Sequence, residues 1–186
     1  MHWYTPSQTV AGRDIYLADY VKLYVDTIRP AVPGADADGR PFVDSSPSNA
    51  VLSYDPYVKR WGDVQAWSWG DVHYYNYDAD CEDRTTYPQG RFVSEHGFQS
   101  FPSFRLYRNV TAPADWSRES SQLFYRQRHE HGNEQVLAMI GRHYAVPPAN
   151  ASDAATQQRI FDDYLWLTQL QQARCYETAF GEWRRL

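Results

Sequence analysis

Glu95 is placed like a residue that does chemistry. It stands just past the short run Arg91-Phe92-Val93, after Ser94, and precedes His96-Gly97, where glycine permits an unusual backbone. A carboxylate at that point would face a cleft from a rigid scaffold; the competing reading is a solvated loop glutamate. His73 lies inside another short apolar run, between Val72 and Tyr74. It is either a site residue or a hydrogen-bonded core histidine. Tyr74 and Tyr75 follow it and, on a strand, point to opposite faces. Asp44 opens the polar stretch Asp44-Ser45-Ser46 after Pro41-Phe42-Val43. Other chemistries lack their residues. His129-Glu130-His131 with His143 does not have zincin spacing, and no cysteine stands nearby, so no metal is expected. There is no Gly-x-Ser-x-Gly nucleophile elbow and no glycine-rich phosphate loop.

The elements that must position these residues are short. Leu17, Val21, Tyr24 and Ile28 recur at helical spacing, with Asp14 as cap, and predict a helix over 13–28 that Arg29-Pro30 stops. Three strands are expected: Pro41-Phe42-Val43, Gly70 to Tyr75, and Arg91-Phe92-Val93. Each runs into polar residues, respectively Asp44-Ser45-Ser46, Tyr74-Tyr75-Asn76 and Ser94-Glu95-His96. The segment 50–69 holds Tyr54, Tyr57, Trp61, Trp67 and Trp69 without a period and reads as an aromatic loop. One helix starts near Asn133 and carries Val136, Leu137, Ile140 and Tyr144. Another starts near Ser152 or Asp153 and carries Ile160, Tyr164, Leu167 and Cys175. Strands that end in polar loops and alternate with helices predict an α/β chain with parallel strands. In a (β/α)₈ barrel the functional residues sit just past the carboxyl ends of strands, although a doubly wound sheet fits the same pattern.

Composition narrows the partners. The chain has 186 residues, one domain by length, and a net charge of −5, which argues against nucleic acid or an anionic membrane as the main partner. No apolar run reaches the roughly 18 residues of a membrane-spanning helix. Met1-His2-Trp3-Tyr4 does not begin a signal peptide. Yet two sequons, Asn109-Val110-Thr111 and Asn150-Ala151-Ser152, would accept glycans in the secretory pathway. Cys81 and Cys175 are free thiols in a cytosolic protein and disulfide candidates in a secreted one.

Several strings resemble the β-mannosidases of glycoside hydrolase family two, of the animal lysosomal type. Arg40-Pro41-Phe42-Val43-Asp44-Ser45-Ser46-Pro47-Ser48 resembles the fifth barrel strand of that family and its loop. Gly70-Asp71-Val72-His73-Tyr74-Tyr75-Asn76-Tyr77 resembles the sixth. Arg91-Phe92-Val93-Ser94-Glu95-His96-Gly97-Phe98-Gln99-Ser100-Phe101-Pro102-Ser103 resembles the seventh, which ends in the nucleophile. Arg126-Gln127-Arg128-His129, Gly132-Asn133 and Tyr164-Leu165-Trp166-Leu167-Thr168-Gln169 resemble the helices that follow. His96 departs from the aromatic residue often found after the nucleophile, and 50–68 matches poorly.

The resemblance implies a partial (β/α)₈ barrel, strands five to seven with their helices, over residues 1–186. It implies retaining hydrolysis of terminal non-reducing β-D-mannose from β-mannosides such as N-glycan-derived oligosaccharides, with no cofactor. Glu95 would be the nucleophile. Tyr74, or alternatively Tyr75, would donate to it, and His73 and Asp44 would contact sugar or support the site. The acid/base glutamate of the family lies in an Asn-Glu motif expected about ten residues before Met1, so this chain alone is expected to be inactive, with the rest of the barrel and the N-terminal domains as its partners. An inert carbohydrate-binding remnant is the alternative. A lysosomal or secretory location follows, and with it a Cys81–Cys175 disulfide and glycans on Asn109 and Asn150.

Overall fold

The computed structural model describes residues 18–32, Phe42, Ser46 and 71–185. Asp14, Asp44 and the aromatic stretch 50–69 lie outside them, and of the expected strand at 41–43 only Phe42 is described. The chain divides into two compact units, Met1–Tyr74 with Pro88–His96 and Tyr75–Tyr87 with Gly97–Leu186.

In the first unit the expected early helix is wound more widely than an α-helix. Val21–Ile28 is π-helical and passes into a short helix, α1, Arg29–Ala31. The Arg29 N–H reaches back five residues to the Tyr24 carbonyl, and Thr27 Oγ1 donates to the Lys22 carbonyl at 2.6 Å. The buried residues are Tyr20 and Val25, five apart, whereas Tyr24 is exposed. The wide turn therefore replaces the expected α-helical stripe by one with π spacing. Pro30 does not stop the helix where expected. Its fixed φ is helical and only one donor is lost, so the chain leaves at Val32, whose ψ is 112°.

Two parallel strands follow, β1 Asp71–Tyr74 and β2 Phe92–His96. The expectation of α/β order with parallel strands holds at this scale. The segment between them carries a 3₁₀ turn, Arg84–Thr86, rather than a full crossover helix. β2 also runs further than expected, through Ser94, Glu95 and His96. Pairing joins Asp71 to Phe92 and Val72 to Val93, then resumes with His73 to Glu95 and Tyr74 to His96. Ser94 is thus an extra residue, a bulge that lets the strand continue past the point where its polar residues predicted a loop.

The second unit is helical. It contains α2 Phe104–Tyr107, α3 Ser121–Arg126, α4 Gly132–His143 and α5 Ala154–Trp183. Side-chain oxygens start two of them: Ser120 accepts from the Leu123 N–H at 3.2 Å, and Asp153 accepts from the Thr156 N–H at 2.9 Å. Phe101, Phe104, Tyr107, Leu123, Val136, Ile140, Phe161, Tyr164 and Leu165 form one core. Its rings meet edge to face, Tyr107 on Phe161 at 5.3 Å and Phe104 on Trp116 at 4.9 Å. The irregular stretch 98–101 has no ladder to satisfy its backbone, and α5 supplies the partners instead. Thr168 Oγ1 accepts the Phe101 N–H at 3.0 Å, Gln169 donates to the Phe101 carbonyl at 3.1 Å, and Gln172 donates to the Phe98 carbonyl at 2.6 Å.

Candidate active site

The first unit gathers Ser46, Asp71, His73, Ser94 and Glu95. Side chains alternate along a strand, so Asp71 and His73 share one face of β1. The bulge at Ser94 brings Glu95 opposite His73 on that same face; an unbroken register would have paired Glu95 with Tyr74. His73 Nδ1 stands 3.4 Å from Glu95 Oε2. The Glu95 side chain is 52% exposed and that of His73 only 15%, so a mostly covered imidazole flanks an accessible carboxylate.

Asp71 is the buried member, 8% exposed. Its Oδ1 accepts the Ser94 N–H at 3.1 Å, and its Oδ2 accepts the Ser46 hydroxyl. Ser46 Oγ also meets His73 Nε2 at 2.6 Å and Ser94 Oγ at 3.1 Å. Behind Glu95, burial pushes the His96 imidazole below its usual value, which favours the neutral ring.

Of the residues expected at the site, His73 and Glu95 are brought together. Tyr74 pairs with His96 in the register, Tyr75 is half exposed in the second unit, and Asp44 lies outside the described residues. Asp71 and Ser46 were missed as site residues. A signal existed for Asp71: an aspartate within a strand is rarely buried without partners.

In the second unit Cys81 and Cys175 form a disulfide, with Cα atoms 5.0 Å apart. It fastens the segment after β1 to the middle of α5. Around it Tyr87 donates to the Cys81 carbonyl at 2.6 Å, His143 Nε2 meets Asp80 Oδ1 at 2.8 Å, and Arg142 donates to the Asp78 carbonyl at 2.6 Å. Among the described residues no group of three or more His, Cys, Asp or Glu could hold a metal ion, and no helix is long and apolar enough to cross a membrane. The Asn109 side chain is exposed just past α2. The Asn150 amide is held, its oxygen accepting from Ser117 Oγ and its nitrogen donating to Glu119, both at 3.1 Å.

No protein-family model matches the chain. It is 42% identical over 177 residues to β-mannosidase of Capra hircus, covering 91% of this chain and 18% of that protein. It is 39% identical over 170 residues to β-mannosidase of Mus musculus, covering 88% of this chain. The chain therefore spans about 18% of the length of the mammalian relatives it matches. A crystal structure of β-D-mannosidase from Dictyoglomus thermophilum shares its fold over 66% of this chain and 14% of that one, with a TM-score of 0.54 and 22% identity. The chain is a relative of the β-mannosidases over almost all of its length.

Proposed function

We propose that this chain supplies the nucleophile of a retaining β-mannosidase, with Glu95 in that role. The observation that carries the reading is the accessible Glu95 carboxylate at the end of a parallel strand, flanked by His73 at 3.4 Å, in a chain 42% identical to a mammalian β-mannosidase. A Glu95 oxygen would attack the anomeric carbon of a terminal β-D-mannose. The C–O bond to the aglycone breaks as a second carboxyl protonates the leaving oxygen. That carboxyl then deprotonates the water that releases mannose, from about 5–5.5 Å away across the sugar. No residue of this chain is assigned this second role.

In this reading β1 and β2 are strands of a (β/α)₈ barrel, and Tyr74, Tyr75 and Asp44 are rim residues that meet sugar or support the site. No cofactor takes part. The disulfide and the exposed Asn109 support passage through the secretory pathway, where such a bridge forms and persists. Asn109 is then the better glycan acceptor, because a glycan on Asn150 would have to share the space its amide uses for Ser117 and Glu119.

The test is a 2-deoxy-2-fluoro mannoside with a good leaving group, given to the full-length polypeptide that carries this segment. The fluorine slows hydrolysis of the glycosyl-enzyme, so mass spectrometry is expected to place the label on the peptide containing Ser94-Glu95-His96-Gly97. Glu95→Gln keeps the shape and removes the charge, and kcat is expected to fall by at least about 10³-fold, roughly 4 kcal/mol. A label on another carboxylate, or turnover near wild type in Glu95→Gln, would assign the role elsewhere.

A further inference from the structure

We propose that Asp71 is a positioning residue that sets the aim of Glu95 by holding the bulge at Ser94. The inference rests on the reading of Glu95 as nucleophile. In a regular parallel pair the residue after Val93 would pair with His73, and Glu95 would project to the face of Val72 and Tyr74. The actual register skips Ser94 and pairs Glu95 with His73. A bulge leaves its extra residue without a place in the ladder. A backbone N–H left out of the ladder needs another acceptor, from a side chain or from water. Here the Asp71 carboxylate takes that place, accepting the Ser94 N–H at 3.1 Å from the preceding strand.

The arrangement is itself anchored. Asp71 is 8% exposed and its second oxygen accepts the Ser46 hydroxyl. Ser46 in turn reaches His73 Nε2 at 2.6 Å and Ser94 Oγ at 3.1 Å. One buried carboxylate thus ties both neighbours of the candidate nucleophile: the residue before it in sequence, directly, and the imidazole beside it, through Ser46. Asp71 touches no substrate in this account. It acts through the backbone of Ser94 and the ring of His73, and it fixes which face of the sheet the Glu95 carboxylate occupies.

The experiment uses the full-length polypeptide and compares Asp71→Ala, Asp71→Asn and Glu95→Gln by kcat, KM and the rate of labelling with the fluorinated mannoside. Removal of the acceptor in Asp71→Ala is expected to lower kcat and the labelling rate together by about 10²-fold, the scale of a misplaced reacting group, with KM changed by less than about threefold. Asp71→Asn keeps an oxygen for the Ser94 N–H and is expected to retain more than about a tenth of wild-type kcat. A folded Asp71→Ala with wild-type kcat, or one that loses only KM, overturns the inference. Should Asp71→Ala fail to fold, Asp71→Asn decides: retention as stated supports positioning, and a loss as deep as that of Glu95→Gln overturns it. Wild-type turnover in Glu95→Gln would instead overturn the nucleophile reading, and that result is distinct from a dead Glu95→Gln beside an unaffected Asp71→Ala.

Discussion

His73 Nδ1 faces Glu95 Oε2 at 3.4 Å, and the two residues are register partners only because β2 carries one residue more than β1 between Val93 and Glu95. The ring is held from its other side by Ser46. His73 therefore restricts where an otherwise exposed carboxylate points. His73→Ala is expected to lower kcat about tenfold to 10²-fold, less than Glu95→Gln, because orientation is lost while the charge remains. Steady-state kinetics on the full-length polypeptide checks the ranking. A His73→Ala enzyme as inactive as Glu95→Gln would mean that His73 does chemistry of its own.

The disulfide joins residues 94 apart in sequence, both almost wholly buried. Closing so long a loop removes chain entropy from the unfolded state, and the entropy model gives about 4–5 kcal/mol as an upper value. Cys175→Ser is therefore expected to lower the unfolding free energy measured in urea by an amount of that order or less. Peptide mapping without reductant should recover Cys81 joined to Cys175. Two free thiols in the mature protein would refute both statements.

The main helices were legible in the sequence for physical reasons, whereas the cysteine pairing followed from the resemblance, the residues alone leaving free thiols open. Val136 and Ile140 recur on a helical face, and Asp153 caps α5 close to where a start was expected. The strand around His73 was equally visible as a short apolar run. Three things were not. The bulge at Ser94 has no signature in composition, because Ser94 reads as the first loop residue when it is in fact an extra strand residue. The π-helix at Val21–Ile28 shows the same apolar letters as an α-helix and differs only in which of them meet. Ser46 joins the site across 25 residues of sequence, a contact that no local pattern encodes.

Asp80 gives the segment after β1 a pH dependence. Burial works to raise its carboxyl pKa. The Glu82 N–H, the hydrogen bond and charge of His143, and the charge of Arg142 outweigh that and hold it below its ordinary 3.8. Between the folded value and 3.8 the unfolded chain binds the proton and the folded one does not, so stability rises with pH across that window. The contribution is present above about 3.8 and is lost as pH falls through the folded value. Asp80→Asn removes the titration and is expected to flatten the stability profile at the acid end, by a small amount because the side chain is 38% exposed. Urea unfolding of both proteins across the range below pH 5 checks it; parallel profiles would show that Asp80 contributes nothing there.

A run of amides ties the segments that leave the two strands, and Gly132 is the residue that leaves it room. The His129 N–H donates to Gln127 Oε1 at 3.0 Å, Gln127 to Gln99 at 3.1 Å, Gln99 to Gln135 at 3.0 Å, and Gln135 to Asp78 at 3.1 Å. Each amide gives its proton in the same direction, so displacing one member leaves its neighbours short of a donor or an acceptor. A Cβ on Gly132 would lie 2.6 Å from Gln127 Nε2 and 2.7 Å from Gln99 Oε1, well inside contact distance. Both side chains could rotate away in isolation, but here that motion breaks the Gln127–Gln99 hydrogen bond and unseats Gln99 from Gln135. Gly132→Ala is therefore expected to cost about 1–3 kcal/mol despite the better helix propensity of alanine, as overpacking does elsewhere. Hydrogen exchange should quicken at 98–101, the stretch that contains Gln99. The double variant Gly132→Ala, Gln127→Ala removes one of the two obstructing side chains and should recover part of the loss. A Gly132→Ala protein as stable as wild type would show that the amide run adapts and that Gly132 is not required for it.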